Sequence, residues 1–490
     1  MNGLAALISK EGEEVSEPLA RMLEAMKHRG DYSYGFAGYR GTLISGSLSE
    51  AGEVSSWAML GCCNGRLLPG DLEQPLEQYG YALALDGRIY PPPGTPDALI
   101  VAELLGQRPE ERVRRLLGEV NGSYALIVLR EDRLICARDP LGVTPLYVGE
   151  NERWVAVASE RKALWSIGIA SPRSLPPGHV AEVSRKDVVL RPIRVLTPPE
   201  VRRIGMEEAV GRLGELLYRA VDVRTRGLDR VAVGFSGGLD SSLLAHLVDE
   251  CGVGVDLISV GVEGSGDIEE AVEGAEAIGL PYHIEVHGEE EVEETLEEAL
   301  LCVEEPDPMK VGVAIPLLWV AERTMGLGDR VLLLGQGCDE LFGGYWRHLR
   351  EYLQRGAEAA QGLIFRDVSG AYERNYERDN KVSARHGVEL RLPFADWDLT
   401  QFALSLPIEL KLPREEGLPR KRVLRALAER VGLPSRIVKR RKKAIQYSTG
   451  VEKALRRIAR RRGLSLRGFL EKRFREALSA RGFDAVVGCV

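Results

Sequence analysis

The chain has 490 residues, 44% hydrophobic and 28% charged, ordinary globular values that exclude a disordered or fibrous protein and predict two or three domains. Its formal charge is −8, and no apolar run approaches the roughly 18 residues of a membrane span. Seven cysteines without a CxxC, and an N-terminus with no basic leader, predict a reducing cytoplasm rather than a secreted disulfide framework.

Up to about residue 195, short apolar stretches alternate with turns: Gly3–Ile8, Tyr34–Tyr39, Tyr81–Leu85, Ser123–Val128, Leu134–Ala137 and Trp154–Ala158. Two helical patterns, Glu17–Met26 and Pro96–Leu105, interrupt them. This grammar predicts an α+β domain over residues 1–195, with antiparallel sheets and helices outside. The Pro-containing stretch Val195–Glu200 marks the boundary. Beyond it, strand-like runs at Arg230–Phe235, Asp256–Val262 and Val331–Gly335 alternate with long helical patterns. Such alternation predicts an α/β domain over 205–490, with a parallel sheet and helices on both faces.

Charge is unevenly spread. Residues 436–476 carry sixteen Lys/Arg against three Glu, whereas 289–307 hold ten carboxylates. The basic block reads as a solvated face attending an anionic ligand. Nucleic acid is the competing reading, but no zinc-type cysteine set or aromatic platform accompanies the block.

The chemical centre of the second half is Ser236-Gly237-Gly238-Leu239-Asp240-Ser241-Ser242, placed between the strand ending at Phe235 and a helix expected over Leu243–Asp249. Paired glycines turn the backbone and leave its N–H groups unshielded. Serine hydroxyls and a helix N-terminus complete an anion cradle of pyrophosphate size. No lysine follows the glycines, so this is not the GxxxxGK[ST] phosphate loop.

The loop resembles that of the ATP-pyrophosphatases, which activate a carboxyl or carbonyl group as its AMP derivative. Val260–Asp267, Gly335–Tyr345 and Gly387–Phe394 follow in the order found in asparagine synthetases of the glutamine-dependent type, and Arg440–Tyr447 resembles their lysine-bearing segment. Lys27–Gly30, Ala137–Tyr147, Ala158–Leu164 and Leu175–His179 resemble the amidotransferase domain of the same family. The resemblance implies an Ntn-hydrolase-like αββα sandwich, then an ATP-pyrophosphatase domain. It further implies a ligase that uses ATP and Mg2+ to activate aspartate and make asparagine. In the family pattern, Ser236–Ser242, Val260, Gly261 and Gly335 meet ATP, and Asp240 and Asp339 hold metal. Lys442 is the catalytic lysine, although the adjacent Lys443 matches nearly as well. Glu389 lies near the acyl-adenylate, or else pairs with Arg391 or Arg385. Gln336 replaces a glutamate seen in some relatives; it can orient ammonia but cannot take its proton.

The first half departs further from the family pattern. There a cysteine follows the initiator methionine and attacks glutamine; here Asn2 occupies that position. The oxyanion-hole Asn-Gly is matched by Asp86-Gly87, whose carboxylate would repel an oxyanion. Arg66 and Asp97 still match residues that hold the carboxylate and amine of glutamine. These remnants imply a glutaminase fold without glutaminase activity, with ammonia as donor. The resemblance also implies an ammonia channel between the halves. Cys62 and Cys63 lack a basic neighbour and read as buried small hydrophobes. Phe469, Leu470 and Phe474 form an apolar helix face, either packed back or used in a subunit contact such as a homodimer. Three alternatives stay open: a relative with another acid or nucleophile (as in the β-lactam-forming synthetases), a tRNA-modifying ATP-pyrophosphatase, and a non-catalytic binding protein.

Overall fold

The computed structural model describes the chain except residues 69, 91–94, 266, 441–448, 484, 485, 487, 489 and 490. In the first half, two antiparallel sheets lie face to face. One has seven strands in the order Arg173–Ser174, Tyr147–Glu150, Trp154–Ala158, Asn2–Ser9, Ala58–Asn64, Ser33–Gly38, Gly41–Ser45. The other has six, ordered Val188–Pro192, His179–Val183, Arg133–Arg138, Gly122–Arg130, Tyr81–Ile89, Leu76–Gln78. Leu4, Ala6 and Ile8 enter the core between the sheets together with Leu60, Ile127 and Val157. Ala5 and Leu7 point the other way, to Leu19, Met22 and Leu23 of helix Ser16–Glu24. The first strand is therefore apolar on both faces, as period-2 alternation requires of a strand covered on both sides. Helices Asp97–Leu105 and Pro109–Glu119 cover the six-stranded sheet. The layers are αββα.

Residues 195–205 contain neither helix nor strand. After them comes a five-stranded parallel sheet, ordered Tyr282–His287, Gly254–Val262, Arg230–Gly234, Val331–Leu333, Glu389–Arg391. Its central strands also alternate: Val231, Val233 and Leu333 face one helical layer, and Ala232 and Leu332 the other. Phe469, Leu470 and Phe474 are buried against the second layer, so the apolar face of helix Leu466–Ser479 packs back onto its own chain.

The expected helix over Leu243–Asp249 begins earlier, at Leu239 and runs to Glu250. Gly238 is its N-cap, so Leu239–Ser242 form its first turn rather than a loop. Buried and half-buried groups bridge the halves: Arg29 donates to Asn380 Oδ1 (3.0 Å), Arg138 to Glu377 Oε1 (2.9 Å), Asn121 to Asp396 Oδ2 (2.8 Å) and the Lys162 main-chain N–H to Glu304 Oε1 (2.8 Å).

Candidate active site

The phosphate-cradle residues sit at the C-terminal end of strand Arg230–Gly234, the edge at which open parallel sheets take ligands. Gly237 has φ +63°, and a Cβ there would lie 2.5 Å from the Glu270 carbonyl oxygen. Only glycine fits that turn. Arg440 Nη1 donates to Gly237 O (2.8 Å) and Glu270 O (3.0 Å), and its other nitrogen pairs with the Glu270 carboxylate. Ser241 Oγ accepts from Ser236 N (3.3 Å) and stands 3.4 Å from Ser236 Oγ, so these two hydroxyls face one another across the turn. Leu239 is buried in the core and Ser242 is completely enclosed, with its N–H spent on Gly238 O (3.0 Å). The helix start thus turns both side chains inward, away from the turn.

Val260 and Gly261 lie on the adjacent strand beyond its last pairing with Gly234. Phe235 N donates to Ile258 O (2.8 Å) and Val262 N to Thr449 O (2.8 Å). Val260 lies midway between them at the strand's period of two, so its main-chain groups face the same side. Gly335 lets the next loop close in, since a Cβ there would be 3.2 Å from Asp240 Cβ.

The two expected metal aspartates converge on a residue that sequence reasoning missed. Lys421 Nζ lies 2.5 Å from Asp240 Oδ2 and 2.7 Å from Asp339 Oδ1, and donates to Cys338 Sγ at 3.5 Å. Burial pulls its ammonium down, but Asp240 and Cys338 outweigh that, and its pKa lies above the ordinary lysine value. Lys421 has φ +58°, the left-handed region that non-glycine residues seldom occupy. No spacing or periodicity marks it in the sequence. A second missed group braces the same turn. Glu340 Oε1 accepts from Tyr345 Oη (2.5 Å) and Asn375 Nδ2 (2.8 Å), the latter on the π-helical turn Tyr372–Tyr376. Gln336 is half-buried in the same loop. Lys442 and Lys443 lie outside the described residues.

Glu389 is placed differently from its neighbours in the motif list. It opens strand Glu389–Arg391 opposite Val331 and faces the first half. Its oxygens accept from Arg391 Nε (2.7 Å) and Arg88 Nε (2.9 Å). Burial would raise its pKa, but Arg391 and Arg88 outweigh burial and hold it well below the carboxylate range. Arg385, the other pairing candidate, instead meets Glu298 at 2.5 Å.

In the first half, Asn2 N donates to Asp86 Oδ1 (2.8 Å) and Asn2 Nδ2 to Leu85 O (2.8 Å), while Asn2 Oδ1 accepts from Gly65 N (3.0 Å). The carboxamide is thus fully engaged in backbone contacts. Asp86 Oδ2 accepts from the buried Arg29 (2.8 Å), so a guanidinium compensates the charge that would face an oxyanion. Gly87, at φ +96°, has no room for a Cβ, which would lie 2.0 Å from Ser123 O. Asp97 receives Arg88 Nη1 at 3.3 Å. Arg66 is exposed, donating to Tyr32 Oη (3.2 Å), and so stands apart from the other remnants. Cys62 and Cys63 are buried, and desolvation pushes both thiols up, which disfavours the nucleophilic thiolate.

The basic block is answered by the acidic one. Arg457 (2.6 Å) and Arg461 pair with Glu289, Arg462 with Glu293, and Arg481 with Glu297 at 2.9 Å. Among the described residues no group of His, Cys, Asp and Glu is arranged as a metal cage, and no helix is long and apolar enough to cross a membrane.

A glycine-turn anion cradle at the edge of a parallel sheet, beside convergent aspartates and joined to an αββα sandwich, fits the class that its relatives define, an ATP-dependent amide-forming ligase with an amidotransferase-type domain. Family models agree: Asparagine synthase matches residues 212–361 and 351–484, and Glutamine amidotransferase domain matches 72–166. The chain belongs to the asparagine synthase family. A putative glutamine-hydrolysing asparagine synthetase 1 of Methanocaldococcus jannaschii is 34% identical over 398 residues, covering 71% of this chain and 73% of the relative. Glutamine-hydrolysing asparagine synthetase 2 of Arabidopsis thaliana is 30% identical over 378 residues, 72% of this chain but 62% of the plant protein. A solved glutamine phosphoribosylpyrophosphate amidotransferase from B. subtilis, complexed with ADP and GMP, is 19% identical with a TM-score of 0.34, covering 58% of this chain and 65% of that one.

Proposed function

We propose that the chain makes L-asparagine from aspartate, with ATP activating the side-chain carboxylate and free ammonia supplying the nitrogen. The observation that carries the ligase reading is the convergence of Asp240 and Asp339 on one cation beside the Ser236–Gly238 turn. Carboxylate attack on the α-phosphate releases pyrophosphate, and ammonia then displaces AMP from the acyl-AMP. Main-chain N–H groups of the turn, two of them held only at long range by Ser241 Oγ (3.3 Å) and Ser236 Oγ (3.4 Å), bind the departing pyrophosphate together with the Ser236 and Ser241 hydroxyls. Lys421 adds positive charge beside them. Asp240 and Asp339 supply hard oxygen donors of the kind that suits Mg2+ and would hold it alongside Lys421, whose ammonium lies between them. Bound there, the ion would neutralise phosphate oxygens. Lys442, or its neighbour Lys443, is the candidate for stabilising charge at the α-phosphorus. Val260 main-chain groups serve the adenine, and Gln336 orients ammonia through its amide.

Ammonia rather than glutamine is supported by Asn2, whose carboxamide is committed to Leu85 and Gly65 and cannot attack a carbonyl. The unbridged described cysteines suit a cytoplasmic site of action. The RNA reading is disfavoured because Arg456, Arg457, Arg461, Arg462 and Arg481 face carboxylates of the same chain. The test is release of AMP and pyrophosphate from ATP and Mg2+ as aspartate is added: release that does not depend on aspartate refutes the substrate assignment.

A further inference from the structure

The first half keeps a small polar cleft, lined in part by Asn2, Asp71, Gly87, Arg88 and Asp97. Its wall carries a cation of the chain's own. The Arg88 guanidinium pairs with Asp71 through both terminal nitrogens and meets Asp97 Oδ2 at 3.3 Å. Its remaining nitrogen donates to Glu389 Oε2 at 2.9 Å. One side chain therefore runs from the cleft to the first residue of a strand in the other half's sheet. Asp97 is the carboxylate that matches the family's holder of the glutamine amine, so an internal guanidinium stands against the group that would hold a substrate's ammonium.

On its far side Glu389 Oε1 is held by Arg391 Nε (2.7 Å) and Nη2 (2.6 Å). Arg391 Nη1 is itself fixed on Arg224 O (2.5 Å), and Arg224 pairs with Asp396 at 3.1 Å. The charged groups facing Glu389 are thus Arg88, Arg391 and the Met1 amine at 3.9 Å, with Asp71 and Asp97 behind Arg88. With one oxygen held from each half, the position of Glu389 depends on both.

We propose that Arg88 is a positioning residue of the ligase reaction, anchored by Asp71 and Asp97 in the disused amidotransferase cleft and holding Glu389 in place at the start of its strand. This rests on the reading that Glu389 serves the acyl-adenylate site.

The test uses the full chain with Arg88→Ala, Arg88→Lys and Glu389→Gln. Methylguanidinium binding is measured by calorimetry, and AMP formation from ATP, aspartate and ammonium is measured against pH. Arg88→Ala opens a site bounded by three carboxylates and binds methylguanidinium, which the unmodified chain does not. Its kcat falls by about 10-fold or more while KM for ATP stays within about 2-fold, the pattern of a lost transition-state contact. Loss of a cation raises the Glu389 pKa, so the acid limb of kcat moves to higher pH. Methylguanidinium reverses both effects, and Arg88→Lys lies between. A folded Arg88→Ala with unchanged kcat and acid limb, beside an impaired Glu389→Gln, overturns the proposal alone. A drop in kcat that tracks a lower Tm and resists methylguanidinium also overturns it, leaving Arg88 a strut. Full activity in Glu389→Gln overturns the reading beneath it.

Discussion

Lys421 gains its meaning from its surroundings. An exposed lysine would be one of many, but here it is buried, in a left-handed conformation, between two aspartates that each lie in the first turn of a different helix. Lys421→Met removes the cation while keeping the stem's packing. The rate of pyrophosphate release should fall by roughly two orders of magnitude, the scale of one preorganised electrostatic contact, with far-UV circular dichroism unchanged. Lys411 is the opposite case: it is fully enclosed, and its Nζ has no hydrogen-bond partner among the described residues. Burial alone lowers its pKa to about 7. Because the unfolded chain then binds more protons than the folded one between about pH 7 and 10, stability contributed at this site rises with pH across that window. Below it, the buried charge costs on the order of 4 kcal/mol. Lys411→Met should raise Tm most at pH 6 and progressively less toward pH 10, as scanning calorimetry would record; a pH-independent difference would contradict this.

At the scale of elements, the acidic helix Glu289–Val303 is a counterweight to the basic helices Val451–Arg461 and Leu466–Ser479. Glu289 receives two arginines, Arg457 and Arg461. Glu289→Gln should cost about 0.5–1 kcal/mol at low ionic strength, and the difference should vanish near about 1 M NaCl as screening shortens to a few ångströms. Denaturant titrations at the two salts measure it. Composition displayed both blocks, but only tertiary structure could show that they face each other. The same division runs through the strands. Strand Trp154–Ala158 is a clear apolar run and appears with the expected bounds. Strand Tyr282–His287 escaped because it is a half-exposed edge with His283, Glu285 and His287 in alternation. Strand Glu389–Arg391 escaped because it is three residues long, with charged ends that pair with each other and with Arg88 of the first half. Helix Pro109–Glu119 hid behind its charged residues and buries only Pro109, Val113, Leu116 and Leu117. In the candidate site, the glycine turn and the aspartates were legible because chemistry fixes them at short spacing. Lys421 and Arg88 were not, since each acts across a long stretch of chain.

For the whole molecule, the first half retains its layers but not its nucleophile. Asn2 is tied to backbone, Asp86 to Arg29, and Asp97 to Arg88. The departures from the family pattern are therefore distributed, and on the proposed ammonia-dependent reading a thiol at position 2 should not by itself give glutamine turnover. Asn2→Cys should release no glutamate from glutamine above the spontaneous rate in a coupled dehydrogenase assay, and sustained release would contradict this. Glu160 gathers His28 (3.0 Å), Arg29 (3.0 Å) and Lys162 (2.6 Å) within the first half, and two of these reach across to the second: Arg29 donates to Asn380 Oδ1 (3.0 Å), and Lys162 N and Lys381 meet Glu304 from opposite halves. A domain kept in this way supports the sheet that carries the ligase chemistry. The most direct measurement compares nitrogen donors: asparagine is quantified with AMP after incubation of the purified chain with ATP, Mg2+ and aspartate, and with either ammonium or glutamine. Asparagine in step with AMP under ammonium, and none under glutamine, is the predicted result. Equal asparagine formation from glutamine, with glutamate released, would contradict the account.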